Sequence, residues 1–129
     1  MEINTDFSAV NEYYTIKSYL HSIFYNLIVN SIKYRSPVRR PIIGISSSKR
    51  EGKIFLIFKD NGSGFNLEKT AGQIFGLYKR FHSHIEGKGM GLFMVKTQVE
   101  VLGGKIKVKS RPDFGTEFEI ELPNDKPTI

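Results

Sequence analysis

Apolar residues recur at helical spacing through residues 19–35. Leu20, Ile23, Phe24, Leu27, Ile28 and Ser31 fall on one stripe at i, i+3, i+4 and i+7, which predicts an amphipathic helix stopped before Pro37. The period then drops to two. "PIIGISSSK" (41–49) and "KIFLIFKD" (53–60) predict two strands joined at "REG" as a hairpin, and the second is apolar on both faces, which places it inside a sheet. "AGQIFGLYKRF" (71–81) carries a short helical pattern through Ile74, Leu77, Tyr78 and Phe81. Leu92, Val95, Val99 and Leu102 predict a further helix closed by Gly103 and Gly104 as its C-cap. "KIKVKS" (105–110) and "TEFEIELP" (116–123) alternate strictly and meet through "RPDFG" as a hairpin. The expected architecture is an α/β sandwich, with helices on one face of a largely antiparallel sheet.

Composition narrows the picture without choosing a function. The 129 residues are 40% hydrophobic, enough for one core, so residues 1–129 read as a single domain without repeats or linkers. No cysteine is present, which excludes disulfides and thiolate metal sites and fits a reducing compartment. No apolar run is long enough to span a bilayer, and "MEINTDFSAV" lacks the layout of a signal peptide, so a soluble, cytoplasmic segment without membrane contact is expected. The net charge of +6 attracts polyanions. Lys105, Lys107 and Lys109 share the wet face of one strand, which reads as a solvated surface; a nucleic-acid-binding domain is disfavoured because neither an aromatic stacking platform nor a recognition helix is evident.

Four constellations carry candidate chemistry. On the first helix Ser22, Asn26, Asn30 and Lys33 occupy a band roughly 80° wide beside the apolar stripe, at the lip of the core. Asparagine is a poor helix-interior residue. Two amide oxygens one turn apart can hold a hard cation, and a lysine can meet the phosphates that carry it, although a pair of surface amides fits the same pattern. "DNGSG" (60–64) follows the central strand: Asp60 can accept from an exocyclic amine and repel a carbonyl, and Gly62 and Gly64 let backbone approach a flat ring, although Asp-Asn-Gly is also an ordinary turn. "GKGMG" (87–91) opens a helix, where backbone N–H groups, the helix dipole and Lys88 suit phosphate; its spacing is that of neither a P-loop nor a Rossmann turn. "FGT" (114–116) puts Thr116 at a hairpin end, within reach of a ligand.

Taken in order, N-x-x-x-N-x-x-K-Y, D-x-G-x-G, a Phe-bearing helix, G-x-G-x-G and G-T resemble the N, G1, F, G2 and G3 boxes of the sensor histidine kinase ATP-binding domain, of the GHKL superfamily, over residues 15–123. The resemblance implies that superfamily's two-layer sandwich (the Bergerat fold), with a mixed sheet under about three helices and ATP between them. It implies that Asn26 and Asn30 hold Mg²⁺, Lys33 contacts phosphate and Tyr34 lines the nucleotide pocket. Asp60 takes adenine N6 above Gly62 and Gly64. Gly87, Lys88, Gly89, Met90, Gly91 and Leu92 surround the phosphates, Thr116 completes the adenine end, Phe75 anchors the lid and Arg80 meets the γ-phosphate.

One position separates branches of the superfamily. Gyrase and mismatch-repair ATPases carry a glutamate general base where this chain has Asn26, which cannot take a proton, so transfer to a protein histidine is implied in preference to hydrolysis. His21, His82 and His84 lack the setting of the phosphoacceptor, which is expected on a separate dimerisation domain, with a response regulator receiver domain as the onward partner. A non-catalytic ATP-sensing module and an anti-sigma-type serine kinase are the alternatives. Ser31 stands where the family usually has alanine, a change of little expected consequence, and the lid "FHSHIE" is short for the family.

Overall fold

The computed structural model describes residues 1–10, 12, 13, 15–66 and 90–124. The described elements run β1 (Glu2–Asp6), α1 (Lys17–Lys33), β2 (Ile42–Arg50), β3 (Lys53–Asp60), α2 (Met90–Val101), β4 (Lys105–Arg111) and β5 (Gly115–Pro123). The helix expected over 71–81 lies outside the described residues.

The strands form one mixed sheet in the order β1-β2-β3-β5-β4, with β1 parallel to β2 and the other neighbours antiparallel. β3 is central, as its two apolar faces require. Its Ile54, Leu56 and Phe58 face the helices beside Ile43 and Ile45 of β2 and Phe118, Ile120 and Leu122 of β5. Ile23 and Leu27 of α1 and Leu92, Val95 and Val99 of α2 close the core from above. Burying each such side chain stabilises the fold by about 1.5–3 kcal/mol relative to leaving it in water.

Turn chemistry sets the register. Glu51 and Gly52 both adopt positive φ (50° and 77°), the two-residue hairpin geometry that matches strand twist, and Arg50 pairs with Lys53 across it. α2 ends in a Schellman motif: Gly104 N–H donates to Val99 O at 2.9 Å, Gly103 N–H donates to Glu100 O at 3.0 Å, and Gly103 has φ 86°.

β1 is invisible to hydrophobic patterning. All five of its residues are exposed, and pairing with β2 from Glu2–Ile42 to Asp6–Ser46 is what makes it a strand. The opposite edge matches expectation, with Lys105, Lys107 and Lys109 exposed on the outer face. They lie across from Glu121, Glu119 and Glu117, so the basic stripe is interleaved with acid. Lys53 sits 3.1 Å from Glu121, and this contact chiefly holds the Glu121 carboxyl below its ordinary pKa.

Candidate functional site

The C-terminal end of β3 delivers Asp60 to a place where four elements meet. Its Oδ1 accepts from Gly62 N–H at 2.9 Å and from Thr116 N–H, on β5, at 3.2 Å. Its Oδ2 accepts from the Ser31 hydroxyl of α1 at 2.8 Å. Thr116 is 5% exposed, and its Oγ1 lies 2.7 Å from Ser110 Oγ of β4. Ser110 also accepts from Phe65 N–H at 2.7 Å and donates to Gly115 O at 3.0 Å, tying the chain after "DNGSG" to the β4–β5 hairpin. A shallow cavity of about 190 Å³ lies against Asp60, Ser110, Gly115 and Thr116.

The loop itself is braced from behind. Arg39 donates through Nε and Nη2 to Asn61 O at 3.1 and 3.0 Å, and through Nη2 to Gly62 O at 2.9 Å. Ser63 N–H donates to Tyr34 O at 2.9 Å, and Asp113 N–H donates to Ser63 O at 2.7 Å. The loop is thereby held to the end of α1 and to the hairpin. Tyr34 closes the helix, since its N–H still reaches Asn30 O, and its ring packs edge-on against Phe65 with centroids 5.6 Å apart. Half-burial there pushes the Tyr34 phenol above its ordinary pKa.

The second part of the site is one face of α1. Asn26 and Asn30 are half-buried and Lys33 is exposed, the lip position their spacing predicts. Asn26 Nδ2 donates to Ser22 O at 2.9 Å and to Ser22 Oγ at 3.2 Å. Its amide nitrogen is therefore turned to the preceding turn, leaving Oδ1 toward the start of α2. The first turn of α2 comes against it: a Cβ added to Gly91 would stand 3.2 Å from Asn26 Oδ1. Among the described residues no group of three His, Cys, Asp or Glu gathers as a metal site. A cation here would meet neutral amide oxygens, a hard donor set that fits Mg²⁺ arriving with phosphate.

The structure thus places Asn26, Asn30, Lys33 and Tyr34 along the later turns and end of α1, with Gly91 against Asn26, and gathers Asp60, Gly62 and Thr116 through hydrogen bonds, with Gly64 packed against the β4–β5 hairpin. Arg80, Gly87, Lys88 and Gly89 lie outside the described residues, as do Phe75, His82, His84 and the lid, and Met90 begins α2. Three sets of residues carry structural roles that their spacing does not show. The Leu92 side chain is 5% exposed and packs in the core with Val95 and Val99, so only the backbone of this residue is left to meet a ligand. Gly62 and Gly64 answer first to the protein's own packing: added Cβ atoms would stand 2.7 Å from Tyr34 O and 1.9 Å from Arg111 O, and Gly64 has φ 73°. Ser31 is not a neutral replacement, because its buried hydroxyl holds Asp60. Ser110 and Arg39 were missed altogether. Serine in a strand and arginine in a loop have no periodic signature, and only pairing of Ser110 with Thr116 across the hairpin shows the first.

A larger apolar cavity, about 370 Å³ between Phe7, Val10, Tyr13, Leu20, Phe24 and Leu56, lies toward the opposite end of β3 and offers little polar chemistry. Among the described residues no helix is long and apolar enough to cross a membrane.

Comparison with known proteins bears on the family and the fold. The family described as "Histidine kinase-, DNA gyrase B-, and HSP90-like ATPase" matches residues 15–126. Sensor protein RprX of Bacteroides fragilis is 27% identical over 95% of the chain and 24% of its own length. Sensor protein SrrB of Staphylococcus aureus is 35% identical over 81% of the chain and 18% of its own. The chain therefore spans under a quarter of these relatives. Among solved structures, the mycobacterial sensor histidine kinase MprB superposes with a TM-score of 0.74 at 25% identity, covering 98% of this chain and 84% of that one. Full-length ShkA in complex with AMPPNP gives a TM-score of 0.80 at 22% identity, over 99% of this chain and 26% of that one, a likeness of fold. With the sandwich, the paired asparagines on α1 and the braced aspartate at the end of β3, these matches place the chain in the histidine kinase-, gyrase B- and HSP90-like ATPase family, as a sensor histidine kinase ATP-binding catalytic domain.

Proposed function

We propose that the chain binds ATP with Mg²⁺ and hands the γ-phosphoryl group to a histidine on a separate phosphoacceptor domain, from which a response regulator receiver domain takes it. The observation that carries this reading is Asn26. It stands where hydrolytic relatives carry a general base, and its amide nitrogen is bound to Ser22, so the remaining amide oxygen can serve as a ligand atom and not as a general base. Asn26 and Asn30 hold Mg²⁺, which offsets the charge of the triphosphate. Lys33 and Arg80 meet phosphate oxygens, and Gly87, Lys88, Gly89 and Gly91 with the N-terminus of α2 surround the phosphates. Asp60 and Thr116 receive adenine, with Tyr34 lining the pocket. On this reading the domain works in the cytoplasm, where ATP and the receiver partner reside.

The test mixes the chain with a histidine-bearing dimerisation domain and Mg²⁺–ATP and follows protein-bound phosphate. Acid-labile, alkali-stable label on the partner is the expected result. Tight ATP binding with no transfer favours a sensing module, and acid-stable label favours a serine kinase.

A further inference from the structure

The carboxylate of Asp60 has about four lone-pair positions, and three are already used. Gly62 N–H and Thr116 N–H take both positions on Oδ1, at 2.9 and 3.2 Å, and the Ser31 hydroxyl takes one on Oδ2 at 2.8 Å. One acceptor position remains, on Oδ2. Ser31 is 7% exposed and set in a helix, and its hydroxyl is engaged with Asp60. A serine inside a helix ordinarily bonds back to its own preceding turn. This one reaches across to β3 instead.

We infer that Ser31 is a positioning residue for base specificity: by filling one side of Asp60 Oδ2 it leaves the carboxylate a single, fixed acceptor that receives an amine and rejects a carbonyl. The inference rests on the ATP-site reading and adds to it a residue outside the motif positions. Its physical basis is the dual nature of water. Remove the hydroxyl, and the space it leaves beside Oδ2 admits a water, which can turn to donate to a carbonyl oxygen as readily as it accepts from an amine. A hydroxyl whose proton is committed to Asp60 offers no such donation. Discrimination between a 6-amino and a 6-oxo purine therefore depends on the serine more than total affinity does.

The experiment measures ADP and GDP binding to the wild type and to Ser31→Ala by titration calorimetry with Mg²⁺ present, alongside thermal denaturation without nucleotide. The expected result is a preference for ADP in the wild type that narrows roughly threefold to tenfold in the variant, the worth of one hydrogen bond. Equal loss of affinity for both nucleotides, or an unchanged preference, overturns the inference and makes Ser31 a structural residue. A wild type that binds neither nucleotide overturns the ATP-site reading itself and this inference with it. Binding with an unchanged ADP preference in the variant overturns the inference alone.

Discussion

At the Asp60 end of the site, α1, β3, β4 and β5 converge through hydrogen bonds on one carboxylate and one hydroxyl, whereas the described part of the Asn26 end is displayed by successive turns of a single helix. The base end is built before any ligand arrives. Three donors fix the carboxylate, Arg39 braces the loop beneath it, and Ser110 gathers Phe65, Gly115 and Thr116. At the other end, among the described residues, the Asn26 side chain is anchored to Ser22 of its own helix, and Gly91 of α2 approaches its oxygen. Recognition of a neutral, flat base needs fixed donors and acceptors, because a misplaced buried polar group costs about 1–3 kcal/mol. A metal with its phosphates supplies its own strong field and organises simple amide oxygens around itself. On the proposed reading the two ends meet at adjacent residues, Asn30 for the metal and Ser31 for the base.

This division can be broken by mutation. The largest effect is expected from Asn30→Ala or Asn30→Asp, which should lower phosphotransfer roughly 100-fold or more, as loss of reactant positioning does, while circular dichroism and the ADP-over-GDP preference stay unchanged. A shifted base preference in either variant would mean the two ends are not separable. Next, Asp60→Asn keeps the shape but replaces an acceptor with a donor. ADP affinity is expected to fall roughly tenfold to a hundredfold and GDP affinity to rise, with the Mg²⁺ dependence of binding retained.

Ser110→Ala tests whether the base end owes its order to the hidden serine. Phe65 N–H loses its acceptor, so urea denaturation is expected to show a loss of about 1–3 kcal/mol, together with weaker ADP binding. Stability equal to the wild type would remove Ser110 from the framework. The smallest effect concerns Tyr34, at the joint between the ends. Burial raises its folded pKa above the unfolded value of about 10, so the stability it contributes is fully present below that pH and is lost as pH rises through the folded value. Tyr34→Phe is expected to flatten the alkaline limb of the denaturation midpoint against pH, and an unchanged limb would show that its ring is as wet in the folded chain as in the unfolded one.

Much of the fold was legible because burial imposes a period. β2 to β5 and both described helices follow from alternation or from i, i+3, i+4 spacing, with ends displaced by two residues or fewer where it mattered. α1, for example, stops at Lys33, because Tyr34 instead gives its carbonyl to Ser63. β1 escaped because a wholly exposed edge strand leaves no such period. The lip position of Asn26 and Asn30 and the strand-end position of Asp60 were legible too, and because amides inside a helix run against local propensity, they are where function is proposed.

The chain alone thus determined which residues are buried, where the helix presents Asn26, Asn30 and Lys33, and, through Asn26, the absence of a general base at that position. Those properties are local or periodic, carried by neighbours along the chain. Only the tertiary structure decided that Gly62 and Gly64 are held as glycines by the closeness of Tyr34 and Arg111, and that Ser31 and Ser110 hold Asp60 and Thr116 in place. A hydroxyl at 2.8 Å from a carboxylate 29 residues away leaves no trace in spacing. Its effect exists only once α1 and β3 are packed against each other.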